Sequence, residues 1–340
     1  MFSAWVKRAG QRCAIQRTAM ATRHASTATT SSSTTTAAYA EALKLIDADK
    51  QERLRMLARV EKEIARVAKD NKSSTQAAQL AALNSLKYDL QVKSELNNPD
   101  VQRNFKNGQV DMSQPVYRYM RQKQFEKQPR ARLLERITQM NVIPDLLPLG
   151  LVPTVEVNIQ AQGADSVVEP GTFTKPAETI QAPQVEVVNF HTEPRLYTLM
   201  LVDPDSPDVV NKTYQQRCHW LLANVPLSTT ESIVKGGDVV LDYCPPHPEK
   251  GTKYHRYTLI AYEQPENGQA KVDIKVEGRD AFDVKALAEQ HGLKVTGASF
   301  FRQVWDETVS SIYEDILKTQ EPFYGKPRKP ERYIQRAVYF

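Results

Sequence analysis

The sequence predicts a mainly β domain that ends in two late helices and is preceded by a helical N-terminal extension. Two patterns predict it. Between Leu151 and Val276, β-branched and aromatic residues come in short runs separated by Pro or Gly, as in half-buried strands. Between Glu41 and about Lys72 there is neither Pro nor Gly, and Leu43, Leu54, Leu57, Ile64 and Val67 recur at helical spacing among charges. The totals exclude other classes. A chain of 340 residues, 41% of them hydrophobic, is long enough for one sizeable core plus a second part. No run approaches the ~20 apolar residues of a membrane span. Three Cys cannot build a disulfide framework.

The elements follow in order. Before the first acidic residue, Glu41, lie Lys7, Arg8, Arg12, Arg17 and Arg23 among Ala, Ser, Thr, Phe2, Trp5, Val6, Ile15 and Met20. That is the composition of a cleavable mitochondrial transit peptide, so residues 1–40 are expected to be an import signal ending in a Ser/Thr-rich spacer too poor in apolar side chains to fold. Residues 41–140 are expected to form a basic helical extension. Its second helix carries Leu83, Leu86 and Leu90 and fades at Asn97-Asn98-Pro99. Its third stretch, from Pro115 to about Met140, mixes Tyr117, Tyr119, Met120 and Phe125 with Arg118, Arg121, Lys123, Lys127, Arg130, Arg132 and Arg136. Interleaved aromatics and cations suit stacking on bases and pairing with phosphates; a helix with its aromatics in a core and its cations in water has the same composition.

Residues 141–320 are the expected β domain. Its strands are read around Val155–Ile159, Val185–Val188, Tyr197–Val202, Trp220–Asn224, Arg256–Tyr262 and Val272–Val276. Helices follow at Asp283–His291 and Trp305–Lys318. Residues 321–340 form a basic tail with Lys326, Arg328, Lys329, Arg332 and Arg336. The formal charge of +5 equals the five cations before Glu41; the remainder divides into +7 for 41–140, −10 for 141–320 and +3 for 321–340. An acidic body between basic arms suits extensions that lie on nucleic acid or on acidic partners.

Inside the β region a strand delivers Asp203-Pro204-Asp205-Ser206-Pro207, another carries Cys218-His219-Trp220, and a Cys244-Pro245-Pro246 loop leads to His255-Arg256-Tyr257. These stretches, with Ala261-Tyr262-Glu263-Gln264, Gly297-Ala298-Ser299-Phe300 and Trp305-Asp306-Glu307, resemble the phosphatidylethanolamine-binding protein family over roughly residues 150–320. The resemblance implies a β-sandwich with C-terminal helices. It also implies a small-anion pocket lined by Asp203, Asp205, His219, His255, Tyr257 and Tyr313. Two departures are visible: the family's Gly before Pro-Pro is Cys244 here, and the Gly two residues before the His is Lys253. Side chains at such places obstruct an anion, so the pocket reads as vestigial. Cys218, His219, Cys244, His247 and His255 lie in loops that the family brings together and offer zinc-ligand chemistry at irregular spacing; no metal site and no cofactor is assigned.

No nucleophile elbow, phosphate-cradling Gly loop or His-Glu-x-x-His appears, and no enzyme is predicted. The whole arrangement resembles the branch of this family found in the mitochondrial large ribosomal subunit. That implies a structural role in the matrix, in support of mitochondrial translation, with ribosomal RNA and large-subunit proteins as partners. The alternative is a free mitochondrial protein binding a phosphorylated small molecule or lipid headgroup. A membrane-surface role for the 41–72 helix is weakened by Glu41, Asp47, Glu52, Glu61, Glu63 and Asp70 on its polar face.

Overall fold

The structure, a computed structural model, describes residues 28–69, 76–163 and 166–325. The chain divides into two units, residues 1–110 and 111–340. In the first, α1 (Ala28–Lys69), α2 (Gln76–Glu95) and α3 (Pro99–Lys106) follow one another. Lys50 pairs with Glu95 at 2.6 Å and Lys87 with Glu61 at 3.0 Å, so as α1 advances its partners on α2 recede, and the two helices are antiparallel. α3 starts where the Asn98 side chain accepts the Asp100 N–H and Pro99 fills the first turn, which needs no donor there. α1 begins at Ala28, so the Ser/Thr stretch up to Thr36 is helical rather than an unfolded spacer. Once residues 41–69 pay the nucleation cost, each further Ala, Ser or Thr needs only its own propagation step, and the helix extends backwards.

In the second unit, β3 (Arg195–Asp208), β4 (Thr213–Leu227), β5 (Asp238–Leu241), β6 (His255–Glu263) and β7 (Lys294–Gln303) form one antiparallel sheet in the order β5-β4-β3-β6-β7. β1 (Glu156–Gln160) and β2 (Gln184–Val188) form a separate antiparallel pair. Alternation along the central strands sorts the core into two layers. Tyr197, Leu199, Leu201, Tyr257, Leu259 and Ala261 pack with Val155, Val157, Ile159, Val185 and Val187 of the small sheet. Met200, Val202, Ile260 and Tyr262 face the other way, onto Leu133, Ile137, Val142, Leu146 and Leu147 and onto Val284 and Ala288 of α6 (Val284–Gln290). α7 (Glu307–Ser311) continues into a wider helical turn, Ile312–Leu317, and closes the fold.

Three expectations are corrected. The stretch 115–140 is not part of a free arm: α4 (Pro115–Lys127) and α5 (Pro129–Gln139) belong to the second unit, with Leu133 and Ile137 inside its core. Its apolar stripe found a partner in the sheet. Val272–Val276 is not a strand; the Val272 N–H donates to the Asn224 side chain, whose amide returns a bond to the Val272 carbonyl, so a side chain takes the place of a ladder. β5 and β7 were not anticipated. Gly297 in β7 is required by close approach, because a Cβ there would sit 2.7 Å from a Val155 methyl and 2.8 Å from its carbonyl oxygen.

Candidate functional site

The predicted pocket residues come from four places that the sheet brings to one end: Asp203 on β3, His219 on β4, His255 and Tyr257 on β6, and Tyr313 after α7. Asp203 and His255 are the centre. His255 Nδ1–H donates to Asp203 Oδ2 at 2.7 Å, and the other carboxylate oxygen accepts the Asp205 N–H at 2.8 Å. On the far side of the ring, Thr252 Oγ1 lies 2.9 Å from Nε2 while its own hydroxyl donates to the Glu249 carbonyl at 2.7 Å. Nδ1–H faces the carboxylate, and Thr252 stands at Nε2, the nitrogen a second proton on His255 would occupy. Its pKa is raised: burial opposes the charge, but the Asp203 carboxylate outweighs it. Asp203 is lowered for the reciprocal reason, its own burial being overcome by His255.

The other two imidazoles are neutral. His219 Nδ1–H donates to the Cys244 carbonyl at 3.1 Å, leaving Nε2 buried with no hydrogen-bond partner among the described residues. Burial and the neighbouring His247 push its pKa down to about 3. His247 Nδ1–H donates to the Pro245 carbonyl at 2.6 Å, and Nε2 accepts from Arg217 at 2.9 Å; burial brings its pKa to about 4. The rings hold one another edge-on, His247 to His219 at 5.1 Å and to Tyr313 at 5.3 Å, with Tyr257 edge-on to His219 at 5.2 Å and stacked on His255 at 6.3 Å.

Asp205 is the predicted pocket residue that points elsewhere. Its carboxylate accepts from the Arg256 backbone N–H and, bidentate, from its guanidinium at 2.8 and 2.7 Å; the same guanidinium reaches the Met140 carbonyl at 2.7 Å and Asp145 at 2.9 Å. This pair ties β3 and β6 to the end of α5. Two residues that sequence reasoning missed face the pocket instead: Arg217, which also pairs with Asp280, and Glu249 on the loop before β6. The sequence does show, against the family it resembles, a loop lengthened by His247-Pro248-Glu249-Lys250, but not where the Glu249 carboxylate goes.

Of the five residues with zinc-ligand chemistry, His219, Cys244 and His247 have ligand atoms within 4.8 Å of one another. Both nitrogens of His247 are engaged and a guanidinium sits against one of them, an environment that disfavours a second cation. Cys218 lies in the core on the opposite side of β4, its thiol pushed up to about 12 by burial. The loop has a firm outer anchor. The Tyr324 N–H donates to the Lys250 carbonyl at 2.7 Å, Lys250 Nζ lies 4.2 Å from the centre of the Trp305 ring, and Gly251, at φ 93°, passes so close that a Cβ would stand 2.2 Å from Tyr324 O.

The cations predicted to meet RNA or partners are differently employed. Arg118 is a correction: it is buried and its guanidinium donates to the Met112 and Ser113 carbonyls at 3.3 and 2.8 Å, holding the chain entering α4. Arg121 pairs with Glu156 at 2.7 Å, Lys123 and Arg130 with Glu126 at 2.8 and 3.8 Å, and Arg132 with Glu169 at 3.6 Å. Lys127 and Arg136 are exposed and pair with no carboxylate among the described residues. Lys326, Arg328, Lys329, Arg332 and Arg336 lie outside the described residues, as do the cations at 7–23.

Comparison with known proteins matches residues 160–301 to the phosphatidylethanolamine-binding protein family model, and the antiparallel sheets preceded by helices are that fold. The chain is 27% identical over 226 residues to the large ribosomal subunit protein mL38 of Schizosaccharomyces pombe, covering 66% of this chain and 73% of that protein. It is 28% identical over 163 residues to Protein MOTHER of FT and TFL1 homolog 2 of Oryza sativa subsp. japonica, covering 48% and 88%. Among solved structures, the phosphatidylethanolamine-binding protein from Plasmodium vivax covers 51% of this chain and 97% of its own at 21% identity and a TM-score of 0.43.

Proposed function

Starting from a chain that carries a phosphatidylethanolamine-binding protein domain, we propose that it is a non-catalytic, structural constituent of the mitochondrial large ribosomal subunit. It docks through its extensions on ribosomal RNA and neighbouring proteins and so supports mitochondrial translation in the matrix. The observation that carries this reading is the extent of the similarity to a large-subunit ribosomal protein. It runs over 226 residues, longer than the 160–301 family domain, so it includes chain that the family match does not. Two further features support it. The Arg-bearing, acid-free N-terminus has the composition of a mitochondrial address. The residues that converge at the sheet end are occupied with one another and present no activated nucleophile beside a base, the arrangement acyl or phosphoryl transfer would need.

The docking elements are residues 28–110, the exposed Lys127 and Arg136, and the basic tail with Lys326, Arg328, Lys329, Arg332 and Arg336. Because α4 and α5 belong to the second unit and α5 contributes to its core, the arm is cut at residue 110 rather than 140 in the test. A protein lacking residues 28–110 and 326–340 but keeping an import signal is expected to run free in a salt-containing gradient, while the full chain runs with the large subunit. Co-sedimentation of the doubly truncated protein would overturn the docking reading.

A further inference from the structure

Two nitrogen-bearing side chains from different strands, Arg217 on β4 and His255 on β6, converge on one buried spot, and that spot holds a carboxylate. Glu249 Oε2 lies 3.4 Å from His255 Nε2 and Oε1 lies 3.6 Å from Arg217 Nη1, with the Glu249 side chain 5% exposed. We infer that Glu249 is a built-in ligand, its carboxylate filling an anion subsite formed by His255 and Arg217.

The placement is built by several independent contacts. Thr252 bridges His255 Nε2 and the Glu249 carbonyl, so the backbone carrying the carboxylate is fixed to the His255 ring. Two residues earlier, His247 accepts from the same Arg217 and inserts between the His219 and Tyr313 rings. One residue later, Lys250 is held by Tyr324 and Trp305. The loop is pinned on both sides of Glu249.

The fit of the carboxylate is electrostatic more than geometric. Oε2 makes no hydrogen bond, and the Tyr257 hydroxyl, buried in the same cluster, also has no partner among the described residues. A tetrahedral phosphate oxyanion has acceptors enough for Arg217 and the Tyr257 hydroxyl together beside the His255 ring, whereas a planar carboxylate tethered to the loop balances charge only. Removing Glu249 takes away the carboxylate nearest both His255 Nε2 and Arg217 Nη1, whose other carboxylate partners are Asp203 and Asp280, and leaves a desolvated place open to an external anion. The native chain keeps phosphate out by carrying its own anion. This inference stands apart from the docking reading and neither requires the other.

The test uses the full-length chain and thermal unfolding in phosphate-free buffer, with inorganic phosphate and phosphoethanolamine as separate titrants. The native protein is expected to show no phosphate-dependent shift in Tm. Glu249→Ala is expected to be stabilised by phosphate with an affinity at least ~10-fold above the native chain's, and adding His255→Gln to that variant should abolish the gain. Equal response to both titrants identifies the phosphate group as what is recognised; a stronger response to phosphoethanolamine identifies a headgroup. Native protein that binds phosphate as tightly as the variant, or a folded Glu249→Ala protein indifferent to both titrants, overturns the inference. If Glu249→Ala is unfolded without phosphate, refolding on its addition supports the inference and failure to refold overturns it.

Discussion

α1 and β6 are opposites within one chain. β6 is buried along all nine of its residues, and its two faces belong to two core layers. α1 runs for 42 residues, about 63 Å at 1.5 Å per residue, and no described residue on it is fully buried; Leu45 is 69% exposed and Met56 42%. Each element has a regular apolar pattern, so pattern alone does not separate a core element from an arm. What separates them is how many faces find a partner in the chain itself. A strand in the middle of a sheet has four neighbours, two through its backbone and two through its faces, whereas a helix in a two-helix hairpin has one. The surface that α1 leaves half covered is what an extension has to offer to something outside the chain.

The largest effect that sharpens this contrast is expected at α5, which sequence reading assigned to the arm. Ile137→Ala is expected to destabilise the domain by about 2–5 kcal/mol, since the residue is fully buried against the sheet; Leu45→Ala on α1 should stay within about 0.5 kcal/mol. Urea unfolding followed by tryptophan fluorescence checks both, because all three Trp lie outside α1 and α5. Equal costs would erase the distinction between arm and body.

A second effect is pH dependence confined to the body. His219 and His247 are held neutral, with folded pKa values of about 3 and about 4 against an ordinary ~6.5, so their contribution is fully present above pH 6.5. It is lost as pH falls, because the unfolded chain takes up protons that the folded one refuses. Each contributes a slope of about 1.4 kcal/mol per pH unit between pH 6.5 and its folded pKa. His255, raised, works at the other end: its stabilisation is complete below its unfolded pKa and fades as pH rises through the folded one. Glu249 is raised by burial and regains stability for the fold as it protonates, so one glutamate partly offsets two histidines. The expected outcome is a body that loses stability steadily below pH 6.5, while the helicity of the 28–110 segment does not follow. Glu249→Ala and the double truncation, read by phosphate binding and by sedimentation, complete the contrast.

Much of the fold was legible because β3, β4 and β6 carry long β-branched and aromatic runs, and because Asp283 and Asp306 cap their helices through their own side chains. β7 was not legible as a strand because Gly297-Ala298-Ser299 lacks strand-forming side chains; its small residues answer to Val155 packed against them, a contact 142 residues away in sequence. At the site, Asp203, His219 and His255 were legible through the family resemblance that their motifs carry, and the sheet brings them to one end. Arg217 and Glu249 were not legible. A charged residue in a strand or a loop reads as solvated until a partner of opposite sign is brought to it, and here the partners come from β6 and from each other. Arg118 failed in the same way, its buried guanidinium donating through Nη1 to two carbonyls of the preceding turn.

The Lys250–Tyr324 bond has a mechanical consequence. Tyr324, near the C-terminal end of the described residues, is fastened to Lys250, the residue next to Glu249. Gly251 leaves no slack there, since the chains already touch where a methyl group would be. A pull on the chain at Tyr324 is passed to Lys250, so the C-terminal end of the described fold and the loop that carries Glu249 move as one joint.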